Sequence, residues 1–205
     1  MGEVRNPIRK SSILKKNKII DKGFELMCNE GYHNVNCVDI AKYASVSTGI
    51  IYQYFCDKLD IFIEGVKKYS DKIMFPVIEV LDKYEFQKNN LEKIINDIID
   101  IFINTHTISK RAHEELMAMS HTNNHIREIF NDKQEIIIKK ISKLLQGNNI
   151  FITHEYEKIE IMANIVESYT HDYVYNFKEN YDYNIMKKEV INTCMFLLGE
   201  RNEKV

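Results

Sequence analysis

Residues 46–55 read Val-Ser-Thr-Gly-Ile-Ile-Tyr-Gln-Tyr-Phe, and their chemistry is that of a surface made to meet another molecule. Thr48 and Gln53 can exchange hydrogen bonds with base edges, and Ile50 can touch thymine methyl groups. Tyr52 and Tyr54 offer hydroxyls suited to phosphate oxygens, contacts that fix register without reading sequence. Gly49 has no side chain, so backbone at that point can approach a groove closely. In a helix, Ile51 and Phe55 stand four apart and form an apolar anchor. Thr48, Gly49, Tyr52 and Gln53 then share the opposite face.

Other residues with reactive side chains show weaker patterns. Cys28, Cys37, Cys56 and Cys194 form no CxxC pair and sit in helix-like stretches, which predicts buried free thiols and no disulfide frame or zinc site. His121 and His125 are four apart, but Thr-Asn-Asn between them reads as a turn and no third ligand accompanies them. No metal and no cofactor is expected. There is no GxxxxGK[ST], no HExxH and no carboxylate-plus-histidine arrangement at motif spacing, which argues against a helical enzyme.

These side chains must be held by helices. Only 7 Gly and 2 Pro punctuate 205 residues, and strand-like alternation is absent, so an all-α fold is predicted. A first helix spans Ser12 to Asn29, with Gly31 as its stop. Asn36 caps a short second helix, helped by Asp39 in its first turn. Ser45-Val46-Ser47 is a three-residue break, and Ser47 can cap a third helix from Thr48 to Tyr54. Asp57 caps a fourth, which Pro76 should kink or end. Longer helical patterns follow at Asn90–Thr107, Lys110–Ser120, Asn124–Leu145, His154–Lys178 and Tyr183–Leu198. The resulting division is 1–56, three short helices with a basic arm, and 57–205, a bundle of longer ones.

Charge is unevenly placed. The first 20 residues carry six basic side chains (Arg5, Arg9, Lys10, Lys15, Lys16, Lys18) against Glu3, so with a net charge of −2 the other 185 must carry −7. A basic arm on an acidic body fits local contact with a polyanion. No apolar run approaches the ~18 residues a membrane span needs, and the start has no signal-peptide core, so a cytoplasmic protein is expected. Asn6 stands where a myristoylation signal wants Ser or Thr.

A short helix, a three-residue turn and a second short helix match the helix-turn-helix of DNA readers. The stretch Ile19 to Phe62 resembles the DNA-binding domain of the tetracycline-repressor (TetR) family of transcriptional regulators. The points of likeness are Ile19-Ile20, Gly23, Leu26-Met27 and Gly31-Tyr32, then Asn36, Cys37 and Ile40-Ala41. Tyr52-Gln53-Tyr54-Phe55 and Lys58 complete the pattern. Three positions depart from it: Gly23 for the usual Ala, Ser45 for the usual turn Gly, and Leu59 for the usual acid. Ser45 puts a Cβ where φ is expected to be positive.

The resemblance implies groove contact for Thr48, Gly49, Ile50 and Gln53, and Ser47 beside them is a further DNA-binding candidate. The resemblance also implies phosphate contact for Asn36, Tyr52, Tyr54 and Lys58, and charge adds Lys15 and Lys16. It further implies a double-stranded DNA operator, a small-molecule effector bound in the larger part, and a homodimer built on the last two helices. Apolar stripes fit that dimer: Ile159, Met162, Ala163, Val166, Tyr169, Thr170, Tyr173 and Phe177 on one helix, and Met186, Val190, Ile191, Cys194, Leu197 and Leu198 on the next. An intramolecular core explains the same stripes equally well. Effector-site candidates are Phe102, His106, His113, Met117, His121, Tyr169 and Tyr173. The expected function is a repressor released from a pseudo-palindromic operator by a largely apolar effector. The alternative is the same DNA-binding protein controlled by a protein partner.

Overall fold

The structure, a computed structural model, describes residues 7–108 and 110–199. Arg5, Glu3 and the Met1-Gly2 start of the basic arm lie outside the described residues. Among the described residues there are nine α-helices and no strand: α1 Lys10–Glu30, α2 Cys37–Tyr43, α3 Thr48–Tyr54, α4 Lys58–Lys83, α5 Leu91–Ile108, α6 Lys110–Thr122, α7 Asn124–Gly147, α8 Glu155–Tyr175 and α9 Tyr183–Leu197. No helix among them is long and apolar enough to cross a membrane.

Packing divides the chain into two compact units, residues 1–71 with 111–130, and residues 72–110 with 131–205. The sequence boundary at 56/57 follows the binding motif. By packing, the start of α4 and most of α6 join the first unit.

In the first unit, Ile19, Met27, Ile40, Ile51, Phe55 and Phe62 are among its fully buried side chains. Gly23 answers a close approach: a Cβ there would stand 2.7 Å from Ile61 Cγ2 and 3.0 Å from Ile40 Cγ2, so the smaller residue lets α1 sit against α2 and α4. Asp57 caps α4, its carboxylate accepting from the N–H groups of Leu59 and Asp60 at 2.8 and 3.2 Å. From α6, Glu115 accepts from Tyr32 N–H at 2.7 Å and ties that helix to the turn after α1.

Two expectations need correction here. Pro76 does not end α4, which continues to Lys83. Proline removes one backbone N–H bond, and beyond it Val77 and Leu81 are buried at 1% and 0% exposure, so packing offsets the loss. The thiols are all free, but only Cys28 and Cys194 are buried, while Cys37 is half-buried and Cys56 is exposed. Desolvation raises the Cys28 pKa to about 12 and that of Cys194 to about 11.

The second unit has its own core, including Leu81, Leu91, Ile94, Ile99, Ile159 and Cys194. Helices α5, α8 and α9 pack on one another, and Lys187 Nζ reaches Asp100 Oδ1 at 2.6 Å.

Candidate functional site

The helix-turn-helix is set by two local devices. At the start of α2, Asn36 Oδ1 accepts from Val38 N–H at 2.8 Å and from Asp39 N–H at 3.1 Å. Asp39 Oδ2 in turn accepts from Asn36 N–H at 3.0 Å. This is a reciprocal capping box, which satisfies N–H groups that a helix leaves open. At the end of α2, Val46 N–H donates to Ala41 O at 2.9 Å and Ser45 N–H to Lys42 O at 3.1 Å. That pair of bonds is a Schellman closure, and it requires a left-handed residue between them. Ser45 supplies it at φ 54, as expected from its place in the turn.

A serine held there carries strain that glycine would not. Ser45→Gly is expected to stabilise the unit by about 1 kcal/mol, the cost of the left-handed conformation for a residue with Cβ. Equilibrium denaturant unfolding measures it, and an unchanged or lower midpoint would show that the turn is unstrained.

Helix α3 presents one face inward and one outward. Ile51 and Phe55 are buried at 0% and 2% exposure, as their spacing predicted. Gly49, Tyr52 and Gln53 are exposed, and Thr48 and Ile50 are half-buried beside them. Nothing lies within 4 Å of a Cβ built on Gly49. The Tyr52 hydroxyl meets the Cys37 thiol. Charge repulsion from that sulfur, and then the hydrogen bond to it, raise the tyrosine pKa, so Tyr52 stays a hydroxyl donor near neutral pH.

Three candidates are placed differently from expectation. Tyr54 is buried at 7% exposure and so packs in the core. It stands three residues from Ile51, within the arc that the core covers. Ser47 sits at the N-cap of α3 but makes no side-chain cap bond, and it is exposed. Lys58 is turned into its own unit: Nζ donates to Tyr32 O and to Val35 O, both at 2.7 Å, and lies 4.4 Å from the centre of the Tyr32 ring. An ammonium with two carbonyls and a π face already has its donors engaged within the fold. Lys15 is exposed, and Lys16 lies 5.5 Å from the Phe55 ring centre, near the end of α3.

The effector-site candidates are distributed over both units. His113 and Met117 on α6 belong to the first unit, His113 buried and Met117 half-buried. His121 is exposed on the same helix. In the second unit, Tyr169 and Tyr173 join Phe177 and Tyr183 in an aromatic cluster, with Tyr169 Oη donating to Tyr183 O at 3.1 Å. Phe102 stacks on His106 at 5.9 Å, and His106 meets His171 and Tyr175 instead. On α8 the 169/173 and 171/175 rows are about 200° apart, because each residue turns the helix by roughly 100°. Glu167, His171 and Tyr175 were missed from sequence. The Glu-x-x-x-His spacing was visible, but their meeting with His106, 61 residues away from Glu167, was not.

His121 and His125 lie on different helices, α6 and α7. Asn123 separates them and caps α7, its Oδ1 accepting from His125 N–H at 3.0 Å.

Comparison with known proteins is consistent with this geometry. Residues 19–64 match the family described as bacterial regulatory proteins, tetR family. The HTH-type transcriptional regulator HbdR of Aromatoleum sp. (strain CIB) is 40% identical over 57 residues, 28% of this chain and 25% of that protein. The fatty acid metabolism regulator protein of Bacillus subtilis (strain 168) is 28% identical over 130 residues, 63% of each chain. The chain thus spans a quarter of the first relative's length and under two thirds of the second's. The solved structure of the fatty acid degradation regulator FadR of Bacillus halodurans superposes with a TM-score of 0.65 at 15% identity, covering 95% of this chain and 97% of that one. These relatives are named as regulators, not enzymes. Residues 19–64 therefore match the tetR family of bacterial regulatory proteins, and the described chain is similar in fold to solved proteins titled as TetR-family regulators.

Proposed function

We propose that the chain is a sequence-specific DNA-binding transcriptional regulator, a homodimeric repressor released from a pseudo-palindromic operator by a small, largely apolar effector. The observation that carries the DNA reading is the outward face of α3. It combines exposed Tyr52 and Gln53 with a bare Gly49, while Ile51, Tyr54 and Phe55 lock the other face into the core. Such a face can enter a major groove with its backbone close and its polar groups free to exchange hydrogen bonds.

Dimerisation is supported by large apolar residues left outward on the last two helices: Ile161 at 47%, Ile185 at 60% and Phe196 at 65% exposure. They differ from the stripes legible in sequence, many of whose members, such as Val166, Ile191 and Cys194, are spent on the unit's own core. A two-fold interface would cover them. The likeness to two proteins named for fatty acid metabolism makes a fatty acid derivative the first effector to try. Binding must then weaken the operator complex by its differential affinity for two states, typically about 1–3 kcal/mol.

Footprinting on DNA around its own gene tests the reading. The expected result is an inverted repeat with half-sites one helical turn, roughly 34 Å, apart. Gln53→Ala should relax sequence preference at a cost of about 1–3 kcal/mol. Protection of no inverted repeat, or a Gln53→Ala protein with undiminished preference, would overturn it.

A further inference from the structure

Glu167 and His171 are four apart on α8, so they share one face, and α5 packs there with His106. His106 Nε2 is 3.1 Å from Glu167 Oε1, and His171 Nε2 is 3.5 Å from the same oxygen. One donor atom from each of the three residues lies within 4.8 Å of the others.

The tautomer of His106 follows from its other nitrogen. Nδ1 is 2.7 Å from Phe102 O, and a carbonyl only accepts, so Nδ1 carries the hydrogen. In the neutral ring the lone pair is then at Nε2, aimed at a carboxylate oxygen. Two electron-pair donors at that separation are bridged by a cation, either the second proton of an imidazolium or a metal ion. His171 Nε2 converges on the same oxygen, and of the two only a metal ion can bond all three donors.

We propose that His106, Glu167 and His171 form a binding site for a divalent transition-metal ion of the zinc class, within the second unit. Zinc bonds to nitrogen and oxygen of about 2.0–2.1 Å place tetrahedral ligand atoms roughly 3.4 Å apart. The two separations to Glu167 Oε1 fall on either side of that edge. Imidazole nitrogens select zinc, cobalt, nickel or copper over magnesium and calcium, which take oxygen donors. The hydrogen bond from His106 Nδ1 to Phe102 O is the outer-shell contact that orients a ligating histidine. Phe102 stacks on His106, and Tyr175 lies 4.9 Å from His171, ring centre to ring centre, giving an aromatic wall. His106 is 1% exposed, whereas the Glu167 and His171 side chains are 36% and 31% exposed and provide the way in.

The experiment uses the full chain, free of any affinity tag, stripped with a chelator and titrated with Co(II) while the visible d–d bands are recorded. The expected result is one Co(II) per chain with the intense bands of a tetrahedral site, displaced by one equivalent of Zn(II). Glu167→Gln and His171→Ala should each lower affinity at least about tenfold, the loss that even outer-shell changes produce. His125→Ala, on an exposed histidine of α7, should leave it unchanged. Absence of both the bands and Zn(II) binding calorimetric heat in folded protein would overturn the site. So would wild-type affinity in both the Glu167→Gln and His171→Ala proteins. These two positions are partly exposed, so the test stands even if a buried His106→Ala protein does not fold. It is also independent of whether the chain binds DNA.

Discussion

Lys58→Met is expected to lower the stability of the first unit by about 2–4 kcal/mol, while a regulator that used Lys58 on phosphate would lose DNA affinity instead. The reason lies in what Nζ holds. It donates to Tyr32 O and Val35 O at 2.7 Å each and covers the Tyr32 ring at 4.4 Å. Hydrogen bonds from a charged donor are worth about 1.5–3 kcal/mol apiece, reduced here because the group is only partly buried. Methionine keeps the aliphatic stem but leaves two carbonyls without their donor. Those carbonyls belong to the turn between α1 and α2, so the loss would loosen the mount of α2 itself. Urea unfolding followed by far-UV dichroism measures it. A change under about 0.5 kcal/mol, with the salt slope of DNA binding reduced by about one unit, would restore Lys58 to the phosphate contacts.

Gly49→Glu separates folding from binding most sharply. Gly49 is in the first turn of α3, exposed, with nothing within 4 Å of an added Cβ. In an exposed helix, glutamate is favoured over glycine by up to about 1 kcal/mol, and a carboxylate near a helix start suits the dipole. The folded protein is therefore expected to be as stable as the parent or more so. On DNA the same carboxylate would face the polyanion at the point where backbone must come closest. Like-charge juxtaposition of that kind costs several kcal/mol, so operator and scrambled DNA should both be lost at ordinary salt. Fluorescence anisotropy on labelled duplexes, paired with a melting curve, gives both numbers. A protein that melts normally and binds the operator as tightly as the parent would remove α3 from the interface.

Three departures from the sequence expectation share a physical source. The Tyr54 hydroxyl suggests an outward side chain, although helical geometry puts it within reach of the buried arc of Ile51. The Lys58 charge suggests the same, yet two backbone carbonyls of the preceding turn bind that charge. Ser47 was expected to cap α3 because serine is a favoured cap, but its side chain makes no such bond. In each case residue type was a weaker guide than the local surroundings of the side chain.

Local information was enough for the helices and for the inner and outer faces of α3, since both depend on contacts three or four residues apart. It was enough for the Asn36 cap and the left-handed Ser45, which are closed by bonds spanning three to five residues. It could not bring His106 to Glu167 and His171, because α5 and α8 meet only through packing between distant segments. Nor could it divide the apolar stripes of α8 and α9 between a core and an open face. A stripe records that a side chain avoids water. Which surface removes it from water depends on neighbours that only folding brings within contact distance.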